Sequence, residues 1–539
     1  MKKIFIHTFW VLLFVSVSLQ AQVDSAWLRT WGNDYWNENH SVATDFNGNI
    51  FSLGWSYYSS SNYDYATSKF DEDGNVIWSR EFSYGPGDYI DAPLFSHCDE
   101  YGNLITVGQA ACSGFGCPIQ LIKYGAEGDT IWMNTDFYYS DVLIFSVAMD
   151  DDGNIILAGR RGSPSSGVIA KFNADGQFLW GKETFSPTGG YCRFNDVTTD
   201  ANGNIYAGGA VDTLSQNFDA AVIKYSPGGD LLWKKTWNGI NSYLDEVSDV
   251  ALDRSGNVYA AGTTCISSEY VADILIMKYD NDGNLLWLHS YDGPGGKHDY
   301  TMDLVTDGDD AVYLSGVLGM TDYNNYDFIT MKYSNTGDLL WTKNFGFAGL
   351  DEPQKIIIDE EANLFITGYA AMSPGGFNGV TLKYDSSGTE KWVAYYDGVA
   401  SSEDELYDIT MDYNKDIIVA GRTYDNLAGF NFLLIKYSNS ISGVPVVPSG
   451  DQNLHLSVTP NPFNQVTLIS FYLPYNSDVT LTITDVNGVE VMKLQSGMLT
   501  QGNHAQPFNP GALPTGVYIC KLATDYGIVT SKIIIAEKK

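Results

Sequence analysis

Hydrophobic and polar positions alternate in short runs of four to eight residues, broken by Gly, Asn and Asp, and the whole pattern recurs about every fifty residues. One column of the recurrence is acidic: Asp45, Asp99, Asp150, Asp200, Asp253, Asp307, Asp359 and Asp412. Nine positions after each stands a glycine: Gly54, Gly108, Gly159, Gly209, Gly262, Gly316, Gly368 and Gly421. A second frame begins at Lys69, Lys123, Lys171, Lys224, Lys278, Lys332, Lys383 and Lys436, each followed by Tyr or Phe. In seven of these repeats a glycine follows at the fifth position and a tryptophan at the ninth, from Trp78 to Trp392. Fixed offsets around Asp-x-x-Gly turns predict two hairpins, hence four strands, per repeat. The first-turn glycine is replaced by Asp310, Ala362 and Lys415 in three late repeats. A left-handed conformation costs a non-glycine residue about 1–2 kcal/mol, so these turns are expected to change type.

The two ends of the recurrence are incomplete in complementary ways. Lys436 opens an eighth second hairpin but has Pro445 where tryptophan belongs, whereas Trp27 is a tryptophan strand with no lysine before it. Joining them completes one unit and hides two open sheet edges, as closure of a ring requires. The expected class is therefore all-β: an eight-bladed β-propeller over residues 24–440, closed by the N-terminal strand. The matching strings, Asp-x-x-Gly-Asn-x-Tyr-x-x-Gly and Lys-Tyr-x-x-x-Gly-x-x-x-Trp, resemble the bacterial β-propeller repeat found in many exported proteins. That resemblance implies a fold and leaves function open, because propellers host both enzymes and binding platforms.

Composition agrees with strands and tight turns: 44% of the 539 residues are hydrophobic, 14% are aromatic and 54 are glycine. The net charge of −35 repels nucleic-acid phosphates and anionic lipid, so no nucleic-acid partner is expected. Lys2 and Lys3, the apolar run from Phe9 to Val17 and the small residue Ala21 read as a secretory signal peptide over 1–21. No later run is apolar and long enough to span a bilayer, so the mature chain is expected to have no transmembrane segment. Cys112 and Cys117 bracket a short flexible loop that a disulfide can close, while Cys98, Cys192, Cys265 and Cys520 read as buried free thiols.

After residue 440 a proline-punctuated linker, 441–454, leads into alternating β-branched runs that predict a small immunoglobulin-like sandwich over 455–539. Its strings are Pro460-Asn461-Pro462, Asp485-x-x-Gly488, Gly516-Val517-Tyr518 and a late run beginning at Lys532. In that order they resemble the C-terminal sorting domain of type IX secretion cargo. The resemblance implies the type IX machinery as a partner and a place outside the cell or on the outer-membrane surface.

Catalytic signals are sparse. There is no His-Glu-x-x-His, no Gly-x-Ser-x-Gly and no phosphate loop, and His40, His97, His289 and His298 are scattered. No metal site and no cofactor are expected. Asp71 with Asp73 and Asp280 with Asp282 have the spacing of a calcium turn but lack the remaining ligands. An eightfold ring with glycine and tryptophan motifs is also similar to quinone-cofactor dehydrogenases, yet the adjacent cysteine pair of that family is missing. The variable loops should gather on the face opposite the constant hairpins. There Tyr57, Tyr58 and Tyr63, and Tyr323, Asn324, Asn325 and Tyr326, offer aromatic faces and amides to a glycan or protein. The leading reading is a non-enzymatic binding module; the alternative is a hydrolase or lyase acting on polysaccharide.

Overall fold

The computed structural model describes residues 21–439 except 23–24, 33–35, 60–61, 85–89, 113–116, 137–140, 163–164, 214–217, 240–242, 266–270, 321–324, 348, 374–375, 399–401 and 426–428. It also describes 455–535 except 460–462, 464–466, 474–476, 486–488, 500–501, 512 and 525–526. Two compact units emerge, Met1–Ile441 and Ser442–Lys539.

The first unit is built from four-stranded antiparallel groups, called blades here, seven of them formed by one repeat each, and a parallel bridge between Tyr63 and Ile90 joins the first two into one eight-stranded sheet. The first is Asn37–Thr44, Ile50–Ser59, Asn62–Phe70 and Val76–Phe82. Six more follow in chain order, with first strands Ile90–Cys98, Val142–Met149, Cys192–Thr199, Asp245–Leu252, Tyr300–Thr306 and Glu352–Ile358. The eighth combines Asp404–Met411, Ile417–Asp425 and Gly429–Tyr437 with the N-terminal strand Ser25–Trp31, which pairs Trp27 with Lys436. First strands contact one another from blade to blade, and the first strand of blade 1 contacts that of blade 8. They are the innermost strands, and the tryptophan strands are outermost.

The acidic column does more than turn the chain. In blade 5, Asp253 Oδ1 accepts the amides of Ser255 and Asn257, and its Oδ2 accepts from the Asn257 side chain. The same Oδ2 pairs with Lys278 Nζ at 2.8 Å, both side chains fully buried. Equivalent pairs form in blades 1, 2, 3, 6 and 8. The Lys and Asp columns are therefore one device that ties two hairpins of a blade together. Asp71, a calcium candidate from the sequence, spends its carboxylate on its own turn, accepting from Asp73 and Asn75.

Each tryptophan crosses to the next blade. Trp233 Nε1 donates to the Asn281 carbonyl at 3.0 Å, and its ring lies where a side chain on Gly283 would stand. The glycine five after each lysine thus meets two demands, a φ of 80° and a ring against its α-carbon. Trp27 makes this contact to blade 1 through the Glu72 carbonyl and Gly74.

One expectation is corrected. Asp310, Ala362 and Lys415 keep the left-handed turn, with φ of 62°, 58° and 65°, and the same amide bonds back to Asp307, Asp359 and Asp412. The aspartate over-determines each turn. Two of the replacements also gain partners on the neighbouring blade: Asp310 Oδ1 accepts the Arg254 amide, and Lys415 pairs with Glu360 and Glu361.

Of the expected export signal over 1–21, residues 1–20 fall outside the described residues, as does the linker, while Ala21 and Gln22 pair in parallel with Trp392 and Val393. Cys192, Cys265 and Cys520 are buried free thiols as expected, whereas Cys98 is a free thiol only partly buried. Cys117 is disulfide-bonded. The side chain of Cys112, its expected partner, lies outside the described ones.

The second unit is a sandwich. His455–Thr459, Thr467–Leu473 and Gly502–Phe508 form one sheet; Glu490–Leu499, Ser477–Asp485, Gly516–Thr524 and Gly527–Ile535 form the other. They close on a core that includes Phe471, Leu481, Cys520 and Ile533. Within it Tyr518 is buried and donates its hydroxyl to the Pro514 carbonyl, Val517 and Lys532 are exposed, and Gly516 begins a strand. Pro460, Asn461, Pro462 and Gly488 lie outside the described residues, as does the side chain of Asp485.

Candidate functional site at the mouth of the ring

The glycine nine after each aspartate builds the site. A β-carbon on Gly262 would stand 1.9 Å from the Glu246 carbonyl oxygen, and every glycine of the column meets the innermost strand in this way. Opposite each of them that strand carries a β-bulge, which re-aims the extra residue. The bulged residues are His40, Leu94, Phe145, Asn195, Ser248, Met302, Gln354 and Tyr407. Around the ring they differ chemically, although the frame holding them is constant.

One residue further along stand Asp196, Asp249, Asp303, Lys355 and Asp408. The carboxylates of Asp196, Asp249, Asp303 and Asp408 accept amides of the next blade, from Val250, Leu304, Ile356 and Val42. They satisfy donors on the free inner edges. Burial, together with the charges of Asp196 and Asp303, pushes Asp249 well above the carboxylate range. Lys355 pairs with Asp303 at 3.1 Å and balances the belt.

The densest cluster lies where blade 8 meets blade 1, at the loop end of the innermost strands. Glu38 accepts from Trp36 Nε1 at 2.9 Å and from Arg422 at 2.8 Å, and stands 2.7 Å from His40 Nε2. Burial opposes its charge, but the bonds to His40 and Trp36 and the Arg422 guanidinium hold Glu38 down at about 2. Arg422 also binds Glu405 and lies over the rings of Trp36, Tyr407 and Phe430. The Tyr407 hydroxyl donates to Glu405, and burial raises its phenol far above the ordinary value.

Aromatic rings continue outward from this ion-pair centre. His40 stacks on Tyr407 and meets Trp55 edge-on; Trp55 contacts Tyr63, and Tyr63 contacts Tyr57 at 4.9 Å. On the other flank Trp36 contacts Phe430, which contacts Tyr424. Trp36 is 42% exposed, whereas Glu38 and Glu405 are buried beneath the rings. The result is an aromatic surface on a buried support in which one guanidinium bridges two carboxylates.

Tyr57 and Tyr63, singled out from the sequence, thus join this cluster; the Tyr58 side chain, Tyr323 and Asn324 lie outside the described ones. Asn325 and Tyr326 belong to blade 6, where Asn325 accepts the Gly349 amide and Tyr326 pairs with Leu350. They tie two loops together in a different sector. Trp36, Glu38, His40, Tyr407 and Arg422 were not found as a set by sequence reasoning. No column marked them, because the positions they occupy vary from repeat to repeat: arginine, for example, follows both Gly159 and Gly421. Among the described residues no three His, Cys, Asp or Glu side chains already stand close enough to hold a metal ion, and no helix is long and apolar enough to cross a membrane.

Blades built from one repeat and a second sandwich unit define a β-propeller-repeat protein with an appended sandwich, and comparison with known proteins adds its sorting signal. Residues 457–536 match the secretion system C-terminal sorting domain, and residues 239–266 match the beta-propeller repeat. The chain is a β-propeller-repeat protein with a type IX secretion C-terminal sorting domain, which implies export to the cell surface or the extracellular space.

An uncharacterised WD repeat-containing protein of Acanthamoeba polyphaga mimivirus is 25% identical over 219 residues, 36% of this chain. The match spans only 13% of that relative. Among solved structures, PorZ of Porphyromonas gingivalis, a surface component of the type IX secretion system, is 11% identical with a TM-score of 0.34. The match covers 93% of this chain and 82% of PorZ. The β-propeller domain of the trilobed protease from Pyrococcus furiosus is 10% identical with a TM-score of 0.36, covering 69% and 94%. Polysaccharide lyase Uly1 is 10% identical with a TM-score of 0.40, covering 75% and 90%.

Proposed function

We propose that the exported propeller binds a glycan, without turnover, on the aromatic surface where blade 8 meets blade 1. The observation that carries this reading is Trp36, a ring 42% exposed and fixed from behind by Glu38, Arg422 and Phe430. A rigid, exposed indole costs little ordering entropy and stacks on the apolar face of a sugar ring. Neighbouring Tyr63 and Tyr57 extend the surface. The polar groups beneath serve one another: Arg422 bridges Glu38 and Glu405, and the raised Tyr407 phenol is a poor base at neutral pH.

The test is a glycan array followed by calorimetric titration of any captured oligosaccharide. Trp36→Ala is expected to weaken binding at least about tenfold with little change in unfolding temperature. Undiminished binding by that variant removes the site. A second reading, a polysaccharide hydrolase or lyase, is favoured by the grouping of His40, Tyr407, Glu38 and Arg422. Product formation from the captured glycan that is abolished by His40→Ala would establish it in place of the first.

A further inference from the structure

A second acidic pattern lies at the joints between blades, away from the aromatic surface. Five residues before the column lysine stand Asp219, Asp273, Asp327, Asn378 and Asn431 in blades 4 to 8. Eight residues before the column aspartate of the following blade stand Asp245, Asp299, Asp351, Asp404 and Asn37. At the joint of blades 6 and 7 the two positions converge. A β-carbon on Gly346 would be 2.6 Å from Asp327 Oδ1 and 2.6 Å from Asp351 Oδ2.

At the joint of blades 5 and 6 the Asp299 amide donates to the Ala272 carbonyl at 2.7 Å, which sets Asp299 beside Asp273. Asp299 is fully buried, its oxygens accepting the amides of Gly293 at 2.6 Å and Gly319 at 2.8 Å, which fixes its orientation. Asp273 is 6% exposed, and its Oδ1 has no hydrogen-bond donor. Asp292, exposed at the start of the same loop, adds its field to both. A buried carboxylate oxygen without a partner costs free energy unless a cation or proton meets it.

We infer that the joint between blades 5 and 6 is a divalent-cation site, taking calcium through Asp273 and Asp299. Calcium accepts six to eight oxygen ligands, so carbonyls and water complete what two carboxylates begin. The repeat supplies an internal contrast. Where blade 8 meets blade 1 both positions are amides, with Asn431 Oδ1 and Asn37 Nδ2 close to the same glycine, Gly32, and that joint calls for no cation. Calcium-binding modules outside cells work at about 0.1–1 mM, which suits an exported chain.

Calcium titration of the full chain, stripped with chelator, tests the site by calorimetry and by thermal unfolding. Wild type is expected to take up calcium saturably with a rise in unfolding temperature, and Asp273→Asn to bind one equivalent fewer. Asn378→Asp, which creates a carboxylate pair with Asp404, is expected to add one equivalent, and it keeps the test open if Asp273→Asn fails to fold. Absence of saturable calcium uptake by wild type overturns the proposal. So does uptake unchanged in both variants. A shared proton in place of calcium would show as Asp273→Asn stabilising the chain at pH 8 equally with calcium and with chelator, which also overturns it.

Discussion

Trp27 pairs across the sheet with Lys436, so the first described long strand of the propeller completes the sheet begun by the last repeat. The same tryptophan donates Nε1 to the Glu72 carbonyl of blade 1 at 2.8 Å, and Arg29 donates to the carbonyls of Gly74 and Asp73 beside it. One strand thus serves a sheet and a joint. Trp27→Ala is expected to cost about 2 kcal/mol, below the 3–5 kcal/mol of a fully buried tryptophan because this one is only half-buried. Urea unfolding measures it; a change below 0.5 kcal/mol would mean that the joint to blade 1 holds without the indole.

Lys278 and Asp253 form the best-buried ion pair of the ring. Lys278→Met alone leaves the carboxylate uncompensated and is expected to destabilise by about 3–5 kcal/mol. Replacing both, Lys278→Met with Asp253→Leu, removes the stranded charge but also the acceptor of two turn amides. The double variant is therefore expected to recover only part of the loss. A double-mutant cycle by denaturant unfolding reads the coupling, and additive effects would contradict it.

The repeat columns made the fold legible, because each constant residue answers one local demand: turn, close approach or ring contact. The two orphan ends, Trp27 and Lys436, carried the closing strand for the same reason. The site was legible only in part. Tyr57 and Tyr63 stood out as aromatic loop residues, but Glu38, His40, Tyr407 and Arg422 come from strands of two different blades. Only the bulge opposite Gly54 and Gly421 brings them together, and a bulge adds one residue without changing the hydrophobic alternation on either side. The late turns misled for a related reason. Sequence shows a missing glycine at Ala362 but not the carboxylate bonds of Asp359 that hold the turn regardless.

Those turns keep a measurable penalty. Ala362→Gly relieves a left-handed residue whose methyl side chain can make no hydrogen bond, and is expected to raise stability by up to about 1 kcal/mol. Gly203→Ala, at φ 73° in the equivalent turn of blade 4, is expected to lower it by about 1 kcal/mol. Thermal unfolding of the two variants side by side gives opposite shifts. Equal shifts of either sign would contradict the account of Asp359 as the element that forces the turn.

The buried carboxylates set the pH response in two opposed windows. Burial is the leading cause that raises Asp299, Asp351, Asp404 and Asp408 to about 6, against an unfolded value of about 3.9. Between those values the folded chain binds more protons than the unfolded one, so stability falls as pH rises from about 4 to 6 and levels off above. Asp99, Asp150, Asp200, Asp253 and Asp307 run the other way. Burial opposes their charge, yet turn amides with lysine or tyrosine partners hold them below the ordinary value. Their contribution is present above about 3.9 and is lost as pH falls through their lowered folded values. In chelator the chain is therefore expected to be more stable at pH 5 than at pH 8 and to unfold steeply below about pH 3.5. With calcium at the joint of blades 5 and 6, Asp299 releases its proton to solvent as it binds the metal, and the advantage of pH 5 over pH 8 shrinks. Urea midpoints at the two pH values, with and without calcium, separate these contributions. A chain equally stable at pH 5 and pH 8 in chelator would show that the raised carboxylates are ionised on folding after all.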